Sequence, residues 1–152
     1  MFPVRIILLP TDFSDPATQA HSAACDLARE HKARLVVLHV TAKPVVSYIE
    51  KATELPAAEF QQKLWETLQW PRDCEQGLDV VHRVEEGNAI DQIIRVAEEV
   101  RPDLIVMGTH GRRGILNWFT TNVTDEIVRS APCSVLIVKA PQYSPPDAAK
   151  ST

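Results

Sequence analysis

Residues 4–20 read "VRIILLPTDFSDPATQA". The apolar run at 4–9 is continuous rather than alternating, the pattern of a strand covered on both faces of a parallel sheet. A polar turn, "PTDFSD", follows it. Ser14 then offers a helix cap, and Pro16 suits a first helical turn. Ala17, Ala20, Ala24, Leu27 and Ala28 fall on one helical face. This stretch reads as a buried strand running through a polar turn into an amphipathic helix.

The same unit recurs along the chain. "RLVVLHV" (34–40), "DLIVMG" (103–108) and "SVLIV" (134–138) are three more continuous apolar runs. "LDVVHRV" (78–84) mixes polar residues among its valines and reads as an edge strand. Between them lie helical patterns. Residues 57–69 carry Phe60, Leu64 and Leu68 before Trp70-Pro71. A second pattern starts at Asn88, a cap, turns Ile90, Ile93, Ile94, Ala97 and Val100 inward, and stops at Pro102. Residues 41–56 have the least pattern and read as a loop. The order is β-α-β-α-β-α-β-α-β, which predicts an α/β fold: a parallel sheet, Rossmann-like, with helices on both faces and right-handed crossovers. Ligands of such sheets bind beyond the carboxyl ends of the strands, where strand order reverses.

Composition narrows the function. The chain has 152 residues, a length that suits one domain, assigned to residues 1–140, with a Pro/Ala-rich tail at 141–152. Its net charge is −4, with 24% charged residues of both signs. A general nucleic-acid binder is usually basic, so no nucleic-acid partner is expected. The longest apolar runs are about 4–6 residues against the ~20 a membrane helix needs, so no membrane partner is expected either. "MFPVRIILLP" is too short in its apolar part for a signal peptide and reads as the first strand. Cys25, Cys74 and Cys133 are odd in number and widely spaced, which fits buried or half-buried thiols in a reducing cytoplasm. None of the histidines, His21, His31, His39, His82 and His110, is read as part of a metal-ligand pair, and no metal is expected. His39 reads as a strand or core residue.

One segment carries candidate chemistry. Residues 106–127 read "VMGTHGRRGILNWFTTNVTDEI", with Gly108, Gly111 and Gly114 in one turn and Arg112 and Arg113 between them. Glycine N–H groups followed by a helix start form an anion site, and the arginines add cationic donors. The spacing matches neither a P-loop nor a dinucleotide fingerprint. Glycines in a strand-to-helix turn also serve simply to permit positive φ. Asp12, ending strand 1, can accept from ribose hydroxyls or merely organise the turn before Ser14.

Together "PTDFSDPA", "GTHGRRG" and "SAPCSVLIVK" make the chain resemble the universal stress protein family over residues 3–140. The resemblance implies a five-stranded parallel sheet in the order 3-2-1-4-5, of the adenine nucleotide alpha hydrolase type. It implies a homodimer paired through the last strand, with Val135, Leu136, Ile137 and Val138 at the interface. It also implies an adenine nucleotide, ATP with Mg in many members. Asp12 and Thr11 would lie at the ribose, and Pro10, Val40 and Met107 around the base. Gly108, His110, Gly111, Arg112, Arg113 and Gly114 would approach sugar and phosphates, with Thr121, Asn122 and Val123 at the following helix start. The family's ATP motif, G-x2-G-x9-G-[ST], fails at its end, where Thr121-Asn122 replaces Gly-[ST]. A branched Cβ then occupies space a phosphate would use, while Asp125 and Glu126 add negative charge to the first turn.

Three functions follow from these features. The first is a cytoplasmic stress-response domain that binds an adenine nucleotide. The second is a dimeric interaction module that has lost nucleotide binding. The third is a slow ATPase, for which no catalytic residue can be named. A response-regulator receiver shares the plan but needs a phosphorylatable Asp after strand 3, where this chain has Glu85 and Glu86.

Overall fold

The computed structural model describes residues 3–42, 56–109 and 121–139. Five strands alternate with four helices: β1 (Ile6–Thr11), α1 (Asp15–His31), β2 (Arg34–Thr41), α2 (Ala57–Thr67), β3 (Val80–Glu86), α3 (Ala89–Val100), β4 (Leu104–Thr109), α4 (Thr121–Ser130) and β5 (Ser134–Lys139). A 3-10 turn, Asp73–Glu75, links α2 to β3. All strand pairs are parallel, and the order is β3-β2-β1-β4-β5. The expected class and strand order are therefore those of the fold, with the weak valine run at the edge.

Strand periodicity splits the core in two. Ile7, Leu9, Leu35, Val37 and Val106 pack with Ala20, Ala24 and Ala28 of α1 and Leu64 and Trp65 of α2. Leu8, Val36, Leu38, Ile105 and Met107 pack on the other face with Ile93, Val96 and Ala97 of α3 and Ile127 of α4. Neighbouring residues of one strand thus serve opposite layers, which is why the central runs are apolar throughout.

The helix ends follow local chemistry. Ser14 Oγ accepts from Ala17 N at 3.4 Å, and Asn88 Oδ1 accepts from Asp91 N at 3.1 Å. Both α1 and α3 close on a left-handed residue, Lys32 at φ 54° and Arg101 at φ 50°. The helix expected over 57–69 ends two residues early, because Gln69 turns to φ 53° ahead of Trp70-Pro71.

β1 runs two residues later than its apolar run suggests and includes Pro10. Pro10 pairs in register with Leu38 of β2. On the β4 side the ladder comprises only Ile7–Leu104 and Leu8–Ile105. The proline thus falls where one neighbour has already parted, a place that tolerates a missing N–H.

Asp103 fastens the start of that short ladder. Its Oδ2 accepts from the backbone N–H of Arg5 at 2.7 Å and of Ile6 at 3.0 Å, and its own N–H donates to Ile6 O at 2.9 Å. Those two amides hold its carboxyl below the usual range. A depressed folded-state value stabilises above the ordinary carboxylate range and ceases to do so as pH falls. Asp103→Ala should cost about 1 kcal/mol at pH 7, after discounting for solvent screening. Urea unfolding at pH 7 and at pH 3 checks this: the gap between variant and parent should narrow in acid, and an unchanged gap would contradict the charge-assisted staple.

Candidate functional site

The site expected from sequence lies where β1 and β4 part. Thr11 is fully buried, and its Oγ1 accepts from Phe13 N at 3.1 Å. Phe13 takes φ 63°, an uncommon conformation for an aromatic residue, so the chain turns sharply directly after Asp12. Asp12 Oδ1 accepts from Ser14 N at 3.0 Å and also from Ser14 Oγ. That oxygen organises the turn, as one reading of the sequence anticipated. Asp12 Oδ2 is buried without a hydrogen-bond partner among the described residues. The carboxylate therefore serves its turn with one oxygen, while the other has no partner among the described residues.

The apolar members of the expected site sit on the sheet face covered by α3 and α4. Val40, Met107 and the partly buried Val123 belong to one cluster. Pro10 is buried on β1. His39, next to Val40, donates from Nδ1 to Thr11 O at 3.0 Å and packs on Phe13 at 4.4 Å between ring centroids. Burial lowers its pKa, against the Thr11 hydrogen bond and the Asp12 charge. It braces the turn from the β2 side, a more particular role than that of the strand or core residue expected.

Gly108 has a distinct reason to be glycine. A Cβ there would lie 2.2 Å from Pro16 O and 2.5 Å from Pro16 C. The first turn of α1 thus crosses directly against the end of β4, and the missing side chain is what lets it do so. This close packing accounts for Gly108 without any ligand. His110, Gly111, Arg112, Arg113 and Gly114 lie outside the described residues, as do the side chains of Thr121 and Asn122.

The end of β3 is occupied by ion pairs. Glu85 binds Arg83 at 2.7 Å and Arg95 at 2.9 Å, and Arg83 also binds Glu99. The carboxylate at the position a receiver would phosphorylate is tied into this network.

A second constellation was not anticipated. Under α1, the 3-10 turn brings Cys74 and Glu75 against His21 and Cys25. Glu75 is buried and accepts from His21 Nε2 at 2.9 Å, Trp70 Nε1 at 2.8 Å and His82 Nε2 at 2.9 Å. Burial alone would raise its pKa, but these three donors prevail and hold it at about 2. Cys25 and Cys74 place their Sγ atoms 2.8 Å apart, and burial pushes the Cys25 thiol far up. The signal in the sequence was the spacing His21-x3-Cys25, which sets both side chains on one helix face. That Cys74 would meet them depends on how Trp70-Pro71 folds back, which no local pattern reveals.

A parallel sheet in this order, with an acidic turn after β1 and a glycine at the end of β4, defines a doubly wound α/β domain, a class whose ligands bind at the switch point. Residues 3–139 match the model of the universal stress protein family, and the chain belongs to that family. It is 30% identical over 142 residues to universal stress protein MJ0531 of Methanocaldococcus jannaschii, covering 90% of this chain and 82% of that one. It is 33% identical over 134 residues to universal stress protein Sll1654 of a Synechocystis strain, covering 88% and 85%. Among solved structures, a universal stress protein in complex with cAMP superposes with TM-score 0.62 at 23% identity, covering 89% of this chain and 97% of that one. A family member from Arabidopsis thaliana with AMP bound gives 0.62 at 19% identity, covering 95% and 98%. At those identities the likeness concerns the fold. No helix among the described residues is long and apolar enough to cross a membrane.

Proposed function

We propose that this universal stress protein binds an adenine nucleotide at the β1/β4 crevice and acts as a cytoplasmic binding or signalling module rather than a turnover enzyme. The observation that carries the reading is the buried Asp12 Oδ2, which has no hydrogen-bond partner among the described residues. A buried carboxylate oxygen calls for a donor, and a ribose hydroxyl supplies one. Val40 and Met107 give an apolar flank for a base, and the Gly108–Gly114 segment with Arg112 and Arg113 gives donors for phosphate. The AMP and cAMP held by the two fold relatives support the same ligand class. Thr121-Asn122 at the start of α4 argues for a nucleotide with fewer phosphates than ATP, and Mg becomes relevant only where di- or triphosphates bind.

Calorimetric titration of nucleotide-stripped protein tests this. AMP should saturate about one site per chain, and Asp12→Ala should weaken it about tenfold or more, as expected for a hydrogen bond to a charged group. Mg-ATP should bind less well than AMP, and Thr121→Gly with Asn122→Ser should recover it. Absence of heat with either nucleotide up to millimolar concentration would remove the proposal.

A dimeric role has its own observation. β5 is an edge strand, and Leu136 in its middle is 39% exposed. Exposed apolar edges invite pairing, so Val135, Leu136, Ile137 and Val138 are the proposed contact between two copies related by a two-fold axis. Sedimentation at micromolar concentration should give twice the chain mass, and Leu136→Lys should halve it. A monomer for the parent protein would refute this contact.

A further inference from the structure

The buried cluster under α1 has the composition of a metal site. His21, Cys25 and Cys74 each offer one ligand atom, all within 4.8 Å of one another. We infer that these three side chains bind a thiophilic divalent cation of the zinc class, through His21 Nδ1 and the two sulfurs, independently of the nucleotide crevice.

Four features support the assignment. The first is orientation. His21 gives its Nε2 proton to Glu75 Oε1 at 2.9 Å, which leaves Nδ1 with a lone pair. A histidine ligand whose second nitrogen is held by a carboxylate is the usual outer arrangement of such sites. The second is separation. Cys74 Sγ lies 3.6 Å from Nδ1 and 3.5 Å from Nε2, close to the roughly 3.5 Å between a nitrogen and a sulfur on one tetrahedral zinc, so the imidazole must turn slightly to aim Nδ1 at the ion. The two sulfurs, 2.8 Å apart, must open to about 3.7 Å, a change of about 1 Å.

The third feature is charge. Two thiolates neutralise a divalent ion, so the site adds no net charge to a buried region. The fourth is support and access. Glu75 is fixed by Trp70 and His82, and Arg29 Nη2 donates to Cys74 O at 2.8 Å. His21 and Cys25 are buried, while Cys74 is half-buried and leaves a route for the ion and for a solvent ligand at the fourth position. Two packed thiols alone would need none of this histidine and carboxylate scaffolding.

The test uses the full chain, reduced, stripped with a chelator and kept free of oxygen. Cobalt(II) is the probe, because thiolate ligation gives it a near-ultraviolet charge-transfer band and tetrahedral geometry gives intense visible bands. Both should saturate at one ion per chain and vanish when one equivalent of zinc is added. Zinc should protect the half-buried Cys74 from alkylation, read by peptide mass, while Cys133 reacts as before. Cys25→Ser and Cys74→Ser should each weaken cobalt at least tenfold, Cys133→Ser should not, and Glu75→Gln should weaken it roughly 10- to 100-fold. A flat titration of the reduced parent protein overturns the site. So does a band that survives loss of both Cys25 and Cys74, or a Cys25–Cys74 disulfide that forms in preference to binding excess zinc. The alkylation arm needs no variant, so a substitution that fails to fold does not shield the inference.

Discussion

Gly108→Ala is expected to cost about 3 kcal/mol or more, a large share of the roughly 5–15 kcal/mol that holds a domain folded. The added Cβ would stand 2.2 Å from the carbonyl oxygen of Pro16 and 3.1 Å from Ala17 N. These are backbone atoms of the first turn of α1, so no rotamer change relieves the clash. Relief requires α1 to slide, yet Ala20, Ala24 and Ala28 are fully buried against the sheet with no slack. Thermal unfolding followed by circular dichroism reads the loss. A variant that melts within a few degrees of its parent would show that the helix start has room to retreat. The surviving folded fraction should also bind AMP less well, because the displaced turn carries Asp12.

Glu75→Ala is expected to cost about 3–5 kcal/mol. Glu75 is 7% exposed and is the shared acceptor for His21, His82 and the Trp70 indole. Its removal strands three donors on three elements: buried His21 on α1, half-buried His82 on β3 and buried Trp70 in the segment after α2. Trp70 also packs on His21 at 4.3 Å and on Trp65 at 5.5 Å between ring centroids, so losing its anchor loosens the α2 side of the core. Urea unfolding of metal-free protein measures the cost. Glu75→Gln keeps one acceptor and should recover part of the loss. If alanine and parent unfold at the same urea concentration, the network is ornamental to stability.

The strands of this fold were legible because each central run is buried on both faces and so is apolar at every position. Capping at Ser14 and Asn88 was legible because those bonds are local. The reading of β1 ended too early at Pro10, because the pattern does not show that β4 departs at that height. The residues proposed for the crevice rest on motif resemblance, and their division of labour is not local. Nothing local to Asp12 shows that one oxygen holds the turn while the other has no partner among the described residues, or that Gly108 accommodates Pro16. The His21–Cys25–Cys74–Glu75–His82 cluster was invisible for a further reason. Its members come from three segments up to about sixty residues apart, and only the fold-back at Gln69-Trp70-Pro71 joins them.

The short β1–β4 ladder also has a consequence for how the chain assembles. β2 is made soon after β1 and pairs with it over a long register, and β3 later adds to the far side of β2. The other edge of β1 waits until residues 103–105 emerge, nearly a hundred positions later. During synthesis the central strand of the finished sheet is therefore an outer one, carrying Ile7 and Leu8 with one side unpaired. Such an edge is open to the wrong strand. A ladder of only two residue pairs limits how much backbone must be kept waiting, and the Asp103 staple secures the late arrival as soon as it reaches Arg5 and Ile6.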